Sequence, residues 1–417
     1  MIAKVKNSTL TIGTLLLGAA LVLTGVGLFQ TVMPLRAGLE NFSATTVGFL
    51  GTAYFAGFVM GCLVGPGLVK AVGHIRTFTG MAALLAALIL LFPMKPDPYL
   101  WTTLRFLSGT CLATVFMVIE SWLNEQAADI NRGRVLSIYI IVANVATMAG
   151  QIMANLFSIA GQTLFVLVTF LVCLSVVPLA LTPTSEPTPI PTARLDLKGQ
   201  LSISPVGTAG CFLVGLVEGA FWTLGPVFGQ LRAMSVYEVT LFMAAFVLGG
   251  TLSQWPLGRL SDRADRRLVI LPTALGTVGT GLLIAFWQFS ALWPTLAVAT
   301  LHGALMVPLY ALCLAHANDN VPKEKLVQVS GSLLLIYSVG AAIGPLIAAT
   351  VMDAAGAGSL FVFISAVLAL FAAFITYRLL WGPAVERAQR SPFVPIPKTS
   401  QSVYELEVDD DSDASED

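Results

Sequence analysis

Charge is almost absent from twelve stretches of this chain, each roughly twenty residues long. They fall at 9–33, 44–66, 77–94, 98–119, 134–160, 163–182, 206–230, 237–257, 268–289, 292–316, 326–351 and 358–381. An α-helix crosses the hydrocarbon core of a bilayer with about 20 apolar residues, so each window is long enough to span. Only 11% of the 417 residues are charged, against about 25% in an ordinary soluble domain. So few charges cannot cover the chain with a solvated surface, and lipid must be its solvent. The expected fold is an all-α membrane protein with twelve transmembrane helices.

The charges that remain are distributed by side. Eighteen of the 22 Lys and Arg lie in the N-terminal tail, the even-numbered loops and the C-terminal tail. Arg36, Lys95 and Arg232 lie in odd-numbered loops, and Arg105 lies inside the fourth window. Basic residues stay on the cytoplasmic side, which predicts cytoplasmic termini. Lys4 and Lys6 precede an apolar run that continues to about Pro34. That run is too long for a cleaved signal peptide and reads as the first spanning helix.

Residues 183–205 are rich in Pro, Thr and Ser and separate six windows from six. Four segments follow: a bundle over 1–182, a cytoplasmic linker over 183–205, a second bundle over 206–382, and a tail over 383–417. The tail ends in the acidic run from Asp409 to Asp413 and lacks the apolar surface to fold.

The two bundles repeat each other. At an offset of 192, Gly27 matches Gly219, Phe29 matches Phe221, Thr31 matches Thr223 and Pro34 matches Pro226. The register continues through Ser43/Ser235, Val47/Val239 and Gly57/Gly249. After Leu100-Trp101 and Leu292-Trp293 two residues are gained, giving Gly109/Gly303 and Gly150/Gly344. Two parallel six-helix repeats about an axis along the membrane normal are a transporter arrangement, with the substrate site near the midplane between them.

The loop after the eighth window reads Gly258-Arg259-Leu260-Ser261-Asp262-Arg263-Ala264-Asp265-Arg266-Arg267. It resembles the loop signature of the major facilitator superfamily (MFS), G-x-L-a-D-R-x-G-R-R, with Asp265 in place of the second glycine. In the corresponding loop of the first half Gly73 and Arg76 remain, with Pro66 and Lys70 where glycine and aspartate belong. Arg105, Gly109 and Ala113 in the fourth window resemble the superfamily's R-x-x-x-G-x-x-x-A signature. Val118-Ile119-Glu120-Ser121, Asn131-Arg132-Gly133-Arg134, Gln254 to Leu260 and Tyr337-Ser338-Val339-Gly340 are similar to the YcaD-type branch of that superfamily. The resemblance implies the MFS fold, two pseudo-symmetric six-helix bundles in a bacterial inner membrane. It also implies a loop latch of Gly258, Asp262, Arg263, Arg266 and Arg267. In such a latch Asp262 accepts from helix N-terminal amides and the arginines bond carboxylates of neighbouring helices. Topology charge alone is the other reading of Arg266 and Arg267. Glu120, at the cytoplasmic end of window 4, is expected to pair with Arg76; snorkelling to the interface is its alternative.

Ionisable groups at membrane depth cost about 2.5–3.5 kcal/mol each on insertion scales and so need a partner or a purpose. Arg105, Glu218 and His302 are the deepest here. In the superfamily arrangement, helices 1, 4, 7 and 10 line the cavity, so these three are expected to form a substrate and proton site. Each also has a purely structural reading: Arg105 bonded to backbone carbonyls, Glu218 a satisfied carboxyl, His302 an inert core histidine. Asn144 and Gln151 share one face of the fifth helix, which either lines the cavity or bonds a neighbour. Trp222 and Tyr310 shape the pocket or face core and lipid.

The function expected is secondary transport of a small organic solute, proton-coupled, by a monomer. A sensor built on a transporter scaffold is the alternative. Three scattered histidines, His74, His302 and His316, argue against a membrane enzyme, and no P-loop encodes ATP drive. The five cysteines lie singly in apolar runs. No metal, cofactor or nucleic-acid partner is expected.

Overall fold

A computed structural model describes residues 2–127, 132–181, 204–287, 291–319, 321 and 325–381. The 183–205 linker, apart from its last two residues, and the 383–417 tail lie outside the described residues. Thirteen α-helices make up the described fold: α1 (Ile2–Leu39), α2 (Ala44–Val72), α3 (His74–Leu91), α4 (Pro98–Ala127), α5 (Arg132–Met153), α6 (Thr163–Ala180), α7 (Pro205–Leu231), α8 (Val236–Arg263), α9 (Arg266–Phe286), α10 (Leu292–Met306), α11 (Pro308–Asn318), α12 (Leu326–Ala355) and α13 (Ser359–Trp381). They form twelve membrane-length spans, because α10 and α11 run on as one, Leu292–Asn318. Pro308 accounts for the break. It has no N–H for the preceding turn, and its ring crowds the carbonyl four residues back. The fifth charge-poor window extends to residue 160, but α5 ends at Met153 and short turns follow.

The sequence repeat becomes a repeat of contacts. Gly27 of α1 packs against the Thr147 carbonyl of α5, and Gly150 against the Thr24 carbonyl. In the second half Gly219 of α7 packs against the Ala341 carbonyl of α12, and Gly344 against the Leu216 carbonyl. Partner maps onto partner at the offsets read from the sequence. A side chain at these positions would meet backbone, so glycine is what permits the helices to cross so closely. Ser43 and Ser235, another repeat pair, each cap a helix: Ser43 accepts from Thr46 N at 3.1 Å, and Ser235 accepts from Glu238 N at 3.3 Å.

The halves meet through α2 with α12, α5 with α8, and α7 with α1 and α2. Their bridging bonds gather toward the odd-numbered loops. Thr52 Oγ1 donates to Ala342 O at 2.7 Å, Gln230 Nε2 to Leu35 O at 3.2 Å, and Asn155 Nδ2 to Thr240 Oγ1 at 2.7 Å. Gly48 of α2 lies against Pro345 and Ala349 of α12.

Candidate functional site: a cavity between the halves

A cavity of about 240 Å³ lies between the two halves. Its walls come from pseudo-equivalent positions. Val26 and Gln30 of α1 face it, as do their repeat partners Glu218 and Trp222 of α7. Ala143 and Asn144 of α5 line it, as do their partners Tyr337 and Ser338 of α12. Tyr54, Phe55 and Phe58 of α2 and Phe116 of α4 add an aromatic side. On α1, α2, α5, α7, α8 and α12, the lining residues stand on the terminus side of the bridging residues. The seal between the halves therefore separates the cavity from the odd-numbered loops.

One wall carries chemistry that its counterpart lacks. Glu218 is almost fully buried, and Tyr337 donates its phenol to Glu218 Oε2 at 2.7 Å. The equivalent pair in the first half is Val26 and Ala143, both apolar. Tyr337 is held from behind by Tyr310 of α11, ring centroids 4.8 Å apart in an edge-to-face arrangement. Tyr310 thus supports the wall and does not itself line the cavity.

The other deep ionisable residues sit elsewhere. Arg105 is one layer back. Its guanidinium stacks 4.4 Å from the Tyr54 ring and 5.6 Å from Phe29, with Nε 3.5 Å from Leu50 O. Its Nη1 has no hydrogen-bond partner among the described residues. His302 is enclosed within the second bundle by Phe221, Phe246 and Phe361. Its Nδ1 lies 2.9 Å from Thr280 Oγ1, and its Nε2 is unpartnered among the described residues. The expectation that His302 and Arg105 share the cavity with Glu218 is corrected accordingly. Gln151 is also buried away from the cavity, its Oε1 likewise unpartnered among the described residues. Asn144 and Trp222 do line it. The lining extends beyond helices 1, 4, 7 and 10: α2, α8 and α12 supply Tyr54, Gln254 and Tyr337, and α5 supplies Asn144, in line with one of the two readings of that face. The repeat register held the signal for the missed residues: Ser338 is the partner of Asn144, and Tyr337 sits at the position of Ala143.

The loop between α8 and α9 is built differently from the expected latch. Asp265, not Asp262, caps α9, accepting from Arg267 N at 2.9 Å. Burial alone would push the Asp265 carboxyl up, but side-chain and backbone hydrogen bonds from Arg267 outweigh it and hold the group below its usual range. Arg267 also donates to Arg378 O at 3.1 Å. Arg266 is fully enclosed and donates through Nε to Asp319, at the end of α11, at 2.9 Å. Asp262, 37% exposed, reaches Arg266 at a longer 3.3 Å. Gly258 is buried and its carbonyl accepts from Ser261 at 2.8 Å, while Arg263 is exposed. These bonds stay within the second half. In the first half, His74 stands at the repeat position of Arg266 and meets Ser121 at 3.2 Å. Glu120 is buried there and accepts from the Tyr139 hydroxyl at 2.9 Å, whereas Arg76 is exposed to solvent. The expected Glu120–Arg76 pair is therefore not formed, because the carboxyl turns into the bundle.

Comparison with known proteins agrees with this architecture. The sequence profile of the Major Facilitator Superfamily matches residues 15–242 and 207–406. A protein of Escherichia coli O17:K52:H18 (strain UMN026 / ExPEC), described as "Uncharacterized MFS-type transporter YcaD", is 30% identical over 356 residues, covering 85% of this chain and 92% of its own. The same-named protein of Salmonella newport (strain SL254) is 29% identical over 357 residues, with the same coverages. Among solved structures, a mutant form of the nucleoside transporter NupG superimposes with a TM-score of 0.75 at 12% identity, covering 88% of this chain and 99% of that one. A bacterial homolog of the human lysosomal transporter Spinster, in an inward-facing and occupied conformation, gives 0.71 at 13% identity, covering 91% and 97%. At such identities the two structures speak for the fold alone. Twelve membrane-length spans, a contact-level repeat and the full-length profile match converge on one assignment: this multi-pass membrane protein belongs to the major facilitator superfamily of transporters, in its YcaD-type branch.

Proposed function

We propose that the chain is a proton-coupled secondary transporter that moves a small organic solute across a bacterial cytoplasmic membrane by alternating access. The observation that carries this reading is the Glu218–Tyr337 pair on the wall of the cavity between the halves. A carboxyl at that depth is stable only when neutral or paired, so proton binding there is tied to what else occupies the cavity. The asymmetry of the wall supports a specific role, since the fold tolerates Val26 and Ala143 at the equivalent sites. Both termini face the cytoplasm in this reading, on the distribution of Lys and Arg. The seal toward the odd-numbered loops then corresponds to an inward-facing state. One chain contains the whole cavity, which supports a monomer as the working unit.

The test is transport into proteoliposomes from a mixture of metabolites, with and without an imposed proton gradient. Solute accumulation is expected only with the gradient. Glu218→Gln is expected to lose uphill accumulation while still exchanging solute down its own gradient. Uphill transport by Glu218→Gln at the wild-type rate would remove proton coupling from this residue.

A further inference from the structure

We infer that the solute is a small monovalent organic cation with a flat apolar body, and that it and a proton occupy Glu218 in turn. This rests on the transport reading above and adds the chemical class of what is carried. Among the described residues, the cavity lining holds one carboxylate and no Lys, Arg or His. A bare cation beside Glu218 would be neutralised on entry; an anion would face that carboxylate with no cationic side chain on the wall to receive it. Arg105 does not supply one: it is not part of the lining, and its guanidinium is stacked on the Tyr54 ring, 4.4 Å from it.

The rest of the wall fits the same class. Trp222 lies one helical turn from Glu218, and Phe55, Phe58 and Phe116 line the space with it. An aromatic face attracts a cation that has shed water, and indole does so best. Gln30, Asn144 and Gln254 are neutral amides that can orient a polar edge without competing for the charge. The Tyr337 bond is no obstacle, since a carboxylate offers about four acceptor positions.

Charge balance then sets the stoichiometry. A monovalent cation beside the Glu218 carboxylate and a proton on it give the cavity the same net charge, so one cation exchanges for one proton. The groups facing Glu218 do not change that count. α12 presents Tyr337 and α11 presents Tyr310 behind it; α2 presents Tyr54, with Arg105 of α4 beyond it. α8 and α13 meet α7 through Phe246 and Phe361.

Equilibrium binding to the full-length purified protein in detergent tests this without needing transport. The probe is radiolabelled benzyltrimethylammonium, competed by N-benzylacetamide, which is neutral, and by phenylacetate, which is an anion. Unlabelled cation is expected to compete at least about tenfold better than either, with affinity falling as pH is lowered. Glu218→Gln is expected to weaken cation binding by about thirtyfold or more, and Trp222→Leu by about three- to tenfold. Preference for phenylacetate, or equal competition by all three in the wild-type protein, would overturn the inference without reference to any variant. Failure of cation binding in a protein that still accumulates some other solute on a proton gradient would overturn it while leaving the transport reading intact. Selective cation binding with no transport would support it and overturn the transport reading.

Discussion

Asp353, near the end of α12, holds the first turn of α2 through Thr45: Oδ2 accepts from Thr45 N at 2.8 Å, and Oδ1 from the neighbouring Ala44 N at 3.0 Å. The two residues belong to different halves, so the bond exists only while the halves meet on the odd-loop side. A carboxylate at a helix N-terminus is favoured by the unpaired amides and the helix dipole. At an exposed site this is worth about 0.3–1 kcal/mol. Asp353→Ala is expected to shift the closed population on that side by roughly two- to fivefold. Nitroxide labels at Leu39 and Leu231, both exposed at the ends of α1 and α7, would read the change as a longer-distance component. An unchanged distance distribution would mean the packed α2–α12 surface closes this side without Asp353.

The loop between α8 and α9 makes an unequal pair of predictions. Arg266 is sealed from solvent and its close partner is Asp319, while Asp262 is more distant and partly exposed. Removing one partner of a buried ion pair costs about 3–5 kcal/mol because a buried charge is left behind. Asp319→Ala should therefore lower the melting temperature of the purified protein sharply. Asp262→Asn should cost much less, because its contact is longer, its carboxylate is partly exposed and Asp319 still pairs with Arg266. Equal effects of the two substitutions would place Arg266 in solvent and refute the arrangement.

The fold was legible because lipid enforces it. Twelve charge-poor windows and a register of 192 or 194 residues were enough to place both halves, and the Gly27/Gly219 and Gly150/Gly344 matches proved to be the helix crossings themselves. The site was legible only in part. Glu218, Trp222 and Asn144 could be picked out as polar or aromatic groups at depth. Nothing in sequence spacing tells which way a deep residue faces, so the sequence leaves His302 open as a site residue or an inert core histidine, and its phenylalanine cage places it in the core. Tyr337 stands out in the sequence as part of a branch motif and not as a site residue, because a tyrosine in an apolar helix carries no charge to flag it. Its value lies in a contact 119 positions away, with Glu218. The loop signature showed its residues but not their partners, since Asp319 lies 53 positions beyond Arg266.

The glycine crossings can be tested separately from chemistry. A methyl group at Gly219 would strike the Ala341 backbone, whereas one at Gly279 of α9 would meet nothing within 4 Å. Gly219→Ala is expected to destabilise by about 1–3 kcal/mol through overpacking. It should also weaken solute binding, because α7 must move away from α12 and carry Glu218 with it. Gly279→Ala should be neutral or slightly stabilising. Thermal melting in detergent decides it, and identical melting temperatures would show that the α7–α12 crossing is looser than described.

Orientation follows from charge and is open to direct labelling. A cysteine at Met94, 72% exposed in the loop between α3 and α4, should react with an impermeant maleimide in intact cells. One at Arg263, on the opposite side, should react only after lysis. The reverse pattern would invert the membrane orientation and turn the seal to the other compartment.

Tyr337 permits the finest separation of roles, because removing its hydroxyl leaves the carboxyl in place. Tyr337→Phe keeps the ring packed on Tyr310 and deletes the 2.7 Å bond to Glu218. A hydrogen bond contributes about 0.5–1.5 kcal/mol, so gradient-driven accumulation by Tyr337→Phe should fall by about two- to tenfold. Glu218→Gln is expected to lose accumulation but keep solute exchange, and exchange by the double variant should match that of Glu218→Gln alone, which marks the phenol as acting through the carboxyl. A further loss of exchange in the double variant, or accumulation unmoved by Tyr337→Phe alone, would reduce the tyrosine to a packing residue and leave Glu218 to work by itself.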